Sequence, residues 1–414
     1  MRILLSAYAC EPNEGSEPGI GWQWAIELQR AGHEVVVLTR ANNRARIEDY
    51  FASTPGAAQP AFVYFDLAPW LVTLKSKGLL PLQLYYLFWQ IFCVKVARQA
   101  AHHHRPELVW HITFGVIRVP SFLWRLGLPF VFGPAGGGER APLRMRQDYT
   151  LAGHLRDGLR DVLNLISSLD PLMWLTFARS DLILTKTRQS ARFVPWRWRN
   201  KTKVFLELGV RALGEEGPAG SGGSIRFLYA GGFIYLKAIT LAIRAFAAFV
   251  RLGGVGRFTL VGRGPERSRA EALAKQLGVD ALIDWVSWVD QRELARIYAT
   301  HDVFVFPSLH DSSGNVVIEA LSHGLPVVCF DLGGPAEIVT SDCGVIQSTA
   351  GLSAHAAAAT LGRTLKALQD DASGRERLSS GARQRAEEFL WPRRVEAAID
   401  LISGALSVGR AGVP

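Results

Sequence analysis

Hydrophobic and polar positions alternate along the first half of the chain in the rhythm of short buried strands separated by helices. Six apolar runs there have strand length, and stretches between them, such as 21–30, favour helix. The predicted strands are Ile3–Ser6, Val35–Thr39, Phe62–Phe65, Leu108–Ile112, Phe130–Gly133 and Leu182–Thr185. Because alternating strands and helices form a parallel sheet covered by helices, this half predicts a doubly wound α/β domain.

The same rhythm restarts near residue 225 and fills the second half. Its strands are predicted at Ile225–Ala230, Phe258–Val261, Leu282–Val286, Val303–Phe306 and Val327–Phe330. Its helices are predicted at Leu241–Arg251, Ser268–Leu277, Gln291–Ala299 and Val316–His323. We therefore expect two doubly wound, Rossmann-like α/β domains that face a central cleft, with ligands at the carboxyl ends of the strands.

The length and one linker-like segment set the expected domain boundaries. A chain of 414 residues is too long for one ordinary hydrophobic core and long enough for two. Residues 212–224 are dominated by Gly, Ser and Pro and carry no sustained apolar pattern, which is typical of a linker. We predict an N-terminal domain over 1–211, a linker over 212–224 and a C-terminal domain over 225–390.

Basic residues are concentrated in the first half. Residues 1–203 hold 25 Lys and Arg against 15 Asp and Glu, whereas residues 204–414 hold 21 against 22. Two interpretations stay open: an ordinary solvated surface, or contact with an anionic partner such as a membrane surface or a phosphorylated acceptor. Nucleic acid is not expected as a partner, because basic and aromatic residues do not interleave as in known nucleic-acid-binding modules.

The cysteines and the first residues indicate a compartment. Cys10, Cys93, Cys329 and Cys343 are isolated, so neither a disulfide framework nor a zinc site is expected, and no metal is predicted. Residues 1–10 contain an apolar run too short for a secretion signal. We expect a cytoplasmic protein; peripheral attachment to the inner face of the plasma membrane depends on the interpretation of the basic first half.

The segment 79–97 is unusually rich in apolar and aromatic residues. Pro81, Gln83, Gln90 and Lys95 interrupt it, which argues against a membrane-spanning helix. A buried helix that packs on the sheet and a helix inserted in a membrane surface both fit the composition.

The most informative stretch for chemistry is 307–337. A Ser- and Gly-rich loop follows a predicted strand and opens a helix near Gly314, where unpaired backbone N–H groups and the positive end of the helix dipole suit a phosphate. Glu319 lies in the first two turns of that helix, and a carboxylate accepts two hydrogen bonds from a vicinal diol. Gly333 and Gly334 allow close approach of backbone to a ligand.

This stretch resembles the signature of the family 4 glycosyltransferases, the glycosyl transferases group 1 family with the GT-B fold. The signature is an acidic residue, seven residues and a Glu, here Asp311 and Glu319, with Asp in place of the usual first Glu. In that family the first acid contacts the donor sugar and the last Glu binds the nucleotide ribose. The resemblance implies that the donor also contacts Gly314, Asn315, Val316, Gly333 and Gly334.

Further motifs extend the resemblance into the first half. Residues 10–24 look like the family's Gly-rich loop, so Gly19 and Gly21 are expected near the donor diphosphate. His111 resembles the cleft histidine that contacts the reacting sugar, and a lone histidine is otherwise usually structural. Glu139 and Arg140 are candidates for contact with the acceptor, the alternative being a solvated loop.

One motif of the second half departs from the family pattern. The family usually has Gly-Arg, four residues and Lys, and both cations neutralise the leaving diphosphate. Lys237 matches, but Gly232 stands at the Arg position, which removes a bidentate phosphate partner. Arg263, after the next strand, is a hypothetical replacement.

The resemblance implies a retaining, metal-independent hexosyltransferase without cofactor, in which His111, Asp311 and Lys237 are catalytic. The expected donor is a UDP- or GDP-sugar, and the acceptor a glycan or lipid-linked glycan of cell-surface polysaccharide synthesis. The terminal helix, 391–407, is expected to pack back on the first domain. Alternatives are a binding or scaffold protein that kept the fold and lost turnover, and a sugar-nucleotide epimerase of the same fold.

Overall fold

The computed structural model describes residues 1–215 and 224–411, and the chain divides into two compact units. The first unit comprises Met1–Gly138, Val162–Glu207 and the chain from Trp391 onward. The second unit comprises Glu139–Asp161 and Leu208–Leu390. Residues 216–223 of the predicted linker lie outside the described residues.

The first unit is built on a seven-stranded parallel sheet of order β3-β2-β1-β4-β5-β6-β7. Its strands are β1 (Arg2–Ser6), β2 (Glu34–Thr39), β3 (Ala61–Tyr64), β4 (Leu108–His111), β5 (Phe130–Ala135), β6 (Leu182–Thr185) and β7 (Thr202–Val204). Leu4 of β1 pairs with Val36 on one side and Val109 on the other. The chain adds strands outward from β1 on one side and, from β4 onward, on the other side. The position between β1 and β4 is therefore the switch point of a doubly wound sheet.

Helices flank these strands along the chain. They are α1 (Ser16–Arg30), α2 (Arg44–Ser53), α3 (Pro69–Ser76), α4 (Leu82–His104), α6 (Pro171–Arg179), α7 (Arg188–Ala191) and the terminal α15 (Trp391–Ala411). A further helix, α5 (Leu151–Ser168), belongs to the second unit up to Asp161 and to the first unit from Val162. The rings of Trp24 and Trp391 meet edge-on at 5.4 Å, so α15 packs on α1 within the first unit. The indole N–H of Trp24 donates to the carbonyl of Glu207 at 2.8 Å, which satisfies its only polar atom in this apolar setting.

The second unit repeats the arrangement with six parallel strands in the order β10-β9-β8-β11-β12-β13. The strands are β8 (Ile225–Ala230), β9 (Gly256–Val261), β10 (Ile283–Val286), β11 (Val303–Phe306), β12 (Val327–Phe330) and β13 (Gly344–Gln347). The helices are α8 (Ile239–Arg251), α9 (Arg267–Gln276), α10 (Gln291–Tyr298), α11 (Asn315–Ser322), α12 (Pro335–Ile338), α13 (Ala354–Asp370) and α14 (Ala372–Glu387). β11 and β12 are buried at every position, as strands covered by helices on both faces must be.

The predicted fold class is confirmed: both sheets are parallel, and helices connect their strands. All eleven predicted strands form within two residues of the expected ends. β7 and β13 were not predicted, because these edge strands are short and half-exposed and lack a continuous apolar run.

The apolar segment 79–97 falls largely in α4. One face of this helix is buried and includes Tyr85, Tyr86 and Trp89, while Leu84 and Phe92 on another face are exposed. Packing on the core is therefore shown for one face only. Within the part of the chain that the structure describes, no helix has the length and apolar content needed to cross a membrane.

Candidate functional site

The connections after β8 and β11 meet at the switch point of the second sheet. β8 ends at Ala230 and β11 at Phe306, and the two strands are neighbours whose connections depart in opposite directions along the sheet. The backbone N–H groups of Leu309 and His310 both donate to the carbonyl of Leu236, at 3.0 and 3.2 Å. The two loops are thereby joined at the place where open α/β sheets bind ligands.

An ion pair connects the side chains of these two loops. Lys237 Nζ lies 2.5 Å from Asp311 Oδ2, with side-chain exposures of 21% and 14%. Asp311 Oδ1 accepts hydrogen bonds from the backbone N–H groups of Ser313 and Gly314, both at 3.0 Å. These three contacts fix the carboxylate in one orientation beside the ammonium while leaving both groups partly open to an incoming ligand.

Helix α11 begins directly after this loop. Gly314 precedes it with φ of 84°, in the left-handed region that favours glycine. The first N–H groups of any α-helix, here those of Asn315 and Val316, have no acceptor within the helix, and its N-terminus carries a partial positive charge. Lys237 adds a cation next to this helix start, because its partner Asp311 also accepts a hydrogen bond from Gly314. The helix start and the lysine together suit the region to bind an anion.

Gly333 and Gly334 bring a second backbone segment against the Asp311 loop. The backbone N–H of Gly334 donates to the carbonyl of Asp311 at 2.7 Å. Gly333 has φ of +62°, and a Cβ built on it would lie 2.1 Å from the same carbonyl oxygen. Only glycine fits there, so the close approach of these two backbones depends on it.

Gly333→Ala is expected to destabilise the second unit by about 2 to 4 kcal/mol, because it adds a backbone clash to the cost of the left-handed conformation. Gly351→Ala is the matched control: Gly351 has φ of +72° but open space at its Cβ, so about 1 kcal/mol is expected. Scanning calorimetry of both variants checks this, and equal shifts in Tm would show that the contact with Asp311 is unimportant.

Glu319 lies on α11, about one turn from its start, and is half-buried. The Tyr298 hydroxyl donates to Glu319 Oε2 at 3.3 Å. Burial raises the pKa of Glu319 to about 7, and the hydrogen bond from Tyr298 opposes this shift. A ligand that donates hydrogen bonds to Glu319 would stabilise its charged form and so lower this raised pKa.

Glu139 and Arg140 belong to the second unit rather than to a solvated loop of the first. The Ser312 hydroxyl donates to Glu139 Oε2 at 3.0 Å, and Glu139 is 1% exposed. Arg140 Nε lies 3.2 Å from Asp161 Oδ2, with its side chain more than half exposed. The pattern at 133–142 follows a strand of the first sheet and did not reveal this contact with the Asp311 loop.

His310 was missed in the sequence analysis. Burial lowers its pKa to about 4, with Arg160 adding to the effect and Glu139 opposing it, so the imidazole is neutral near pH 7. Its backbone carbonyl lies 3.5 Å from Lys237 Nζ. Its position next to Asp311 was the only available signal.

Gly232 and Arg263 lie on adjoining backbone. The N–H of Phe233 donates to the carbonyl of Arg263 at 2.9 Å, so the loops after β8 and β9 run side by side. Gly232 is exposed, its φ is outside the left-handed region, and nothing lies within 4 Å of a Cβ built on it. The exposed Arg263 guanidinium lies 5.7 Å from the centre of the Trp288 ring.

Three predicted residues lie in the first unit. His111 is buried at the end of β4, with Nε2 3.0 Å from the Tyr86 hydroxyl. Burial lowers its pKa to about 4, and Glu17 opposes the shift, so it is neutral near pH 7. Gly19 and Gly21 are buried inside α1, where a Cβ would lie 2.1 and 2.0 Å from backbone oxygens. Packing explains both glycines, and roles for all three in the reaction stay predictions.

The structure therefore gathers most of the predicted donor residues in the second unit. They are Lys237, Asp311, Gly314, Asn315, Val316, Glu319, Gly333 and Gly334, with Gly232 and Arg263 on the adjoining loops. Over residues 1–215 and 224–411, no three His, Cys, Asp or Glu side chains cluster so as to hold a metal ion.

Comparison with known proteins gives matches to part of the chain in sequence and to nearly the whole chain in fold. Residues 224–368 match the family described as glycosyl transferases group 1. A D-inositol 3-phosphate glycosyltransferase of Saccharomonospora viridis is 33% identical over 192 residues, 44% of this chain and 43% of that protein. The lipopolysaccharide core biosynthesis glycosyltransferase LpsD of Rhizobium meliloti is 33% identical over 140 residues, 34% of this chain and 38% of that protein.

Among solved structures, Anabaena HepE in complex with UDP superposes with a TM-score of 0.60 at 14% identity, over 97% of this chain and 99% of that chain. The sequence matches span less than half the length of either curated relative, whereas the fold match spans nearly the whole chain. Residues 224–368 therefore match the glycosyl transferases group 1 family, and the chain as a whole shares the two-domain α/β fold of HepE.

Proposed function

We propose that the second unit binds a nucleoside diphosphate sugar and that the protein transfers the sugar to a glycan or lipid-linked acceptor. The observation that carries this proposal is the Lys237–Asp311 ion pair at the switch point, followed directly by the start of α11 and by Glu319 on the same helix. The names of its relatives, which include glycosyltransferases of lipopolysaccharide and inositol phosphate, support transfer over hydrolysis.

Each part of a donor has a matching group in this site. The ribose 2′- and 3′-hydroxyls donate to the Glu319 carboxylate, whose charged form they stabilise. The diphosphate accepts hydrogen bonds from the first N–H groups of α11 and takes Lys237 as its counter-ion. Asp311 and the backbone at Gly333–Gly334 are left to orient the donor sugar. The UDP bound to HepE supports a donor of this class.

In the proposed reaction, the bond from the anomeric carbon to the diphosphate oxygen breaks, the acceptor hydroxyl oxygen bonds that carbon, and the hydroxyl proton passes to the departing diphosphate. Negative charge collects on the diphosphate as the bond breaks. Lys237 and the α11 N–H groups stabilise this charge more in the transition state than in the ground state, which lowers the barrier. We propose retention at the anomeric carbon and independence of divalent metal, as the family resemblance implies.

Gly232 stands where the family usually has Arg, and this difference gives a test of phosphate recognition. Gly232→Arg is expected to fold normally, because the position is open, and to bind the donor about tenfold tighter through a charged hydrogen bond. Arg263→Ala is expected to weaken binding by a similar factor if Arg263 is the replacement cation, whereas exposed Arg292→Ala serves as control. Calorimetric titration with the donor measures both; an unchanged affinity in Arg263→Ala rejects its role.

The proposed function is tested in two steps. A thermal-shift screen of UDP- and GDP-sugars should identify a donor that raises Tm, since a ligand bound only to the folded state stabilises it. Release of the nucleoside diphosphate is then measured with glycan and lipid-linked acceptors in the presence of EDTA, and NMR of the product reports the anomeric configuration. Release that requires an acceptor supports transfer.

Two other outcomes would replace the proposal. Donor binding without release indicates a binding protein that lost turnover, an alternative that Gly232 in place of Arg favours. Conversion of the donor to an epimer without any acceptor indicates an epimerase.

A further inference from the structure

Helix α5 exposes most of its aliphatic side chains and buries two of its polar ones, Asp157 and Asn164. Six aliphatic residues along it are between 53% and 79% exposed: Leu151, Leu155, Leu159, Val162, Leu165 and Ile166. At 100° per residue they occupy a sector of about 120° on a helix about 27 Å long. Such a face is ordinarily the one that packs against a protein core.

The opposite face explains this orientation. Asp157 and Asn164 are both 2% exposed. Arg146 binds Asp157 at 3.3 Å and Asp161 at 2.8 Å, and Arg118 donates to the Asn164 side chain. Turning the aliphatic face inward would break these buried charged contacts, which is strongly unfavourable. The exposed face is therefore a stable feature of the fold.

The segment of the chain that contains α5 and α6 is strongly basic. Residues 140–203, which contain α5 and α6, hold 13 Lys and Arg against 5 Asp and Glu, whereas residues 1–139 hold 12 against 10. Arg156 lies about 60° around the helix from Leu159, beside the apolar sector, and is exposed. Most of the basic excess of the first half thus lies in this segment of the chain.

A basic, aromatic turn adjoins the C-terminal end of α5. The indole N–H of Trp174 on α6 donates to the carbonyl of Ser168, the last residue of α5, at 2.8 Å. The Trp174 ring lies 6.5 Å from that of Trp198 in the 3-10 turn Trp196–Lys201. In this turn Trp196 is 78% exposed, and Arg197 and Arg199 are exposed as well.

We propose that α5 lies in the plane of an anionic membrane surface. Its aliphatic face enters the boundary between headgroups and acyl chains, Trp196 lies at the headgroup level, and the surrounding arginines contact lipid phosphates. An aliphatic face alone would also suit a second copy of the chain. Lipid is favoured because two copies would bring two strongly basic segments together, whereas an anionic surface attracts them.

The experiment is flotation of the full-length protein with vesicles of phosphatidylcholine, with and without phosphatidylglycerol. The test variant is Leu155→Gln/Leu159→Gln/Ile166→Gln; the control is Leu252→Gln/Val255→Gln, which removes exposed aliphatic residues of the second unit, 49% and 59% exposed. The parent and control should float with anionic vesicles, less so at high salt. The test variant should bind at least about tenfold more weakly, because three aliphatic side chains no longer enter the bilayer.

Three outcomes overturn the proposal. Flotation of the test variant equal to that of the parent removes α5 from the interface, as does loss of flotation only in Leu84→Gln/Phe92→Gln on α4. A parent that does not float but sediments as a dimer, which the test variant converts to a monomer, shows a second copy as the occupant. Nucleotide thermal shift, measured on every variant, reports the donor site separately, so failure of the proposed function is distinguished from failure here.

Discussion

Lys237→Ala is expected to lower kcat about 100- to 1000-fold while weakening donor binding much less. The ammonium at the switch point is held by Asp311 at 2.5 Å before the donor binds, so part of its attraction to the diphosphate is offset by that pair. As the glycosidic bond breaks, negative charge grows on the diphosphate, and Lys237 gains its full effect only then. Steady-state kinetics with the donor found in the screen measure kcat and KM separately.

Two further variants serve as controls for Lys237→Ala. Lys275→Ala removes an exposed lysine of α9 in the same unit and should leave kcat unchanged. Lys237→Arg keeps the charge but not the shape of a compact ammonium, and partial activity is expected. If Lys237→Ala raised KM alone and left kcat intact, the lysine would bind the donor without stabilising the leaving group.

Glu319→Ala is expected to weaken nucleoside diphosphate binding about 100-fold or more, because it removes the acceptor of two hydrogen bonds to a charged group, each worth about 1.5 to 3 kcal/mol. Glu319→Gln keeps the shape and one acceptor oxygen and should lose less. Calorimetric titration measures both, with exposed Glu376→Gln on α14 as control. Equal affinities in Glu319→Ala and the parent would place the ribose elsewhere.

The raised pKa of Glu319 adds a pH dependence with a defined sign. Since the pKa is about 7 in the free protein, nucleotide affinity should increase as pH rises through 7 and level off above it. For folding the sign is opposite: the folded state holds this proton more tightly than the unfolded chain, so the stability it contributes is present below the ordinary Glu pKa and lost as pH rises through about 7. Glu319→Gln should remove both dependences, and thermal unfolding across this range checks the second.

The sequence predicts the strands and the donor loop well because buried strands have apolar runs with clear ends. Lys237 and Asp311 each follow such a strand, and the carboxyl ends of neighbouring parallel strands lie together, so their pairing follows from topology. The edge strand β13 was not predicted because only part of it is buried. The loss of the family's Arg at Gly232 was recognised from the sequence, but only the coordinates show that this position is open.

Other features depend on contacts that no local pattern encodes. Helix α5 was not predicted from the sequence; its Leu155, Leu159 and Ile166 form an aliphatic face of the kind that ordinarily packs inside, and the buried Arg146–Asp157 pair turns this face outward. Glu139 follows a strand of the first sheet along the chain, yet its side chain accepts from Ser312, 173 residues away. Long-range polar contacts of this kind are set by the folded chain as a whole.

The central claim is that Glu319 recognises the ribose of the donor. Calorimetric titration of the selected nucleoside diphosphate and its 2′,3′-dideoxy analogue into the parent protein and Glu319→Gln tests it most directly, since the cycle isolates the interaction between the carboxylate and the two hydroxyls. We expect the parent to prefer the ribose form strongly and Glu319→Gln to lose most of this preference. A preference that is the same in both proteins would contradict it.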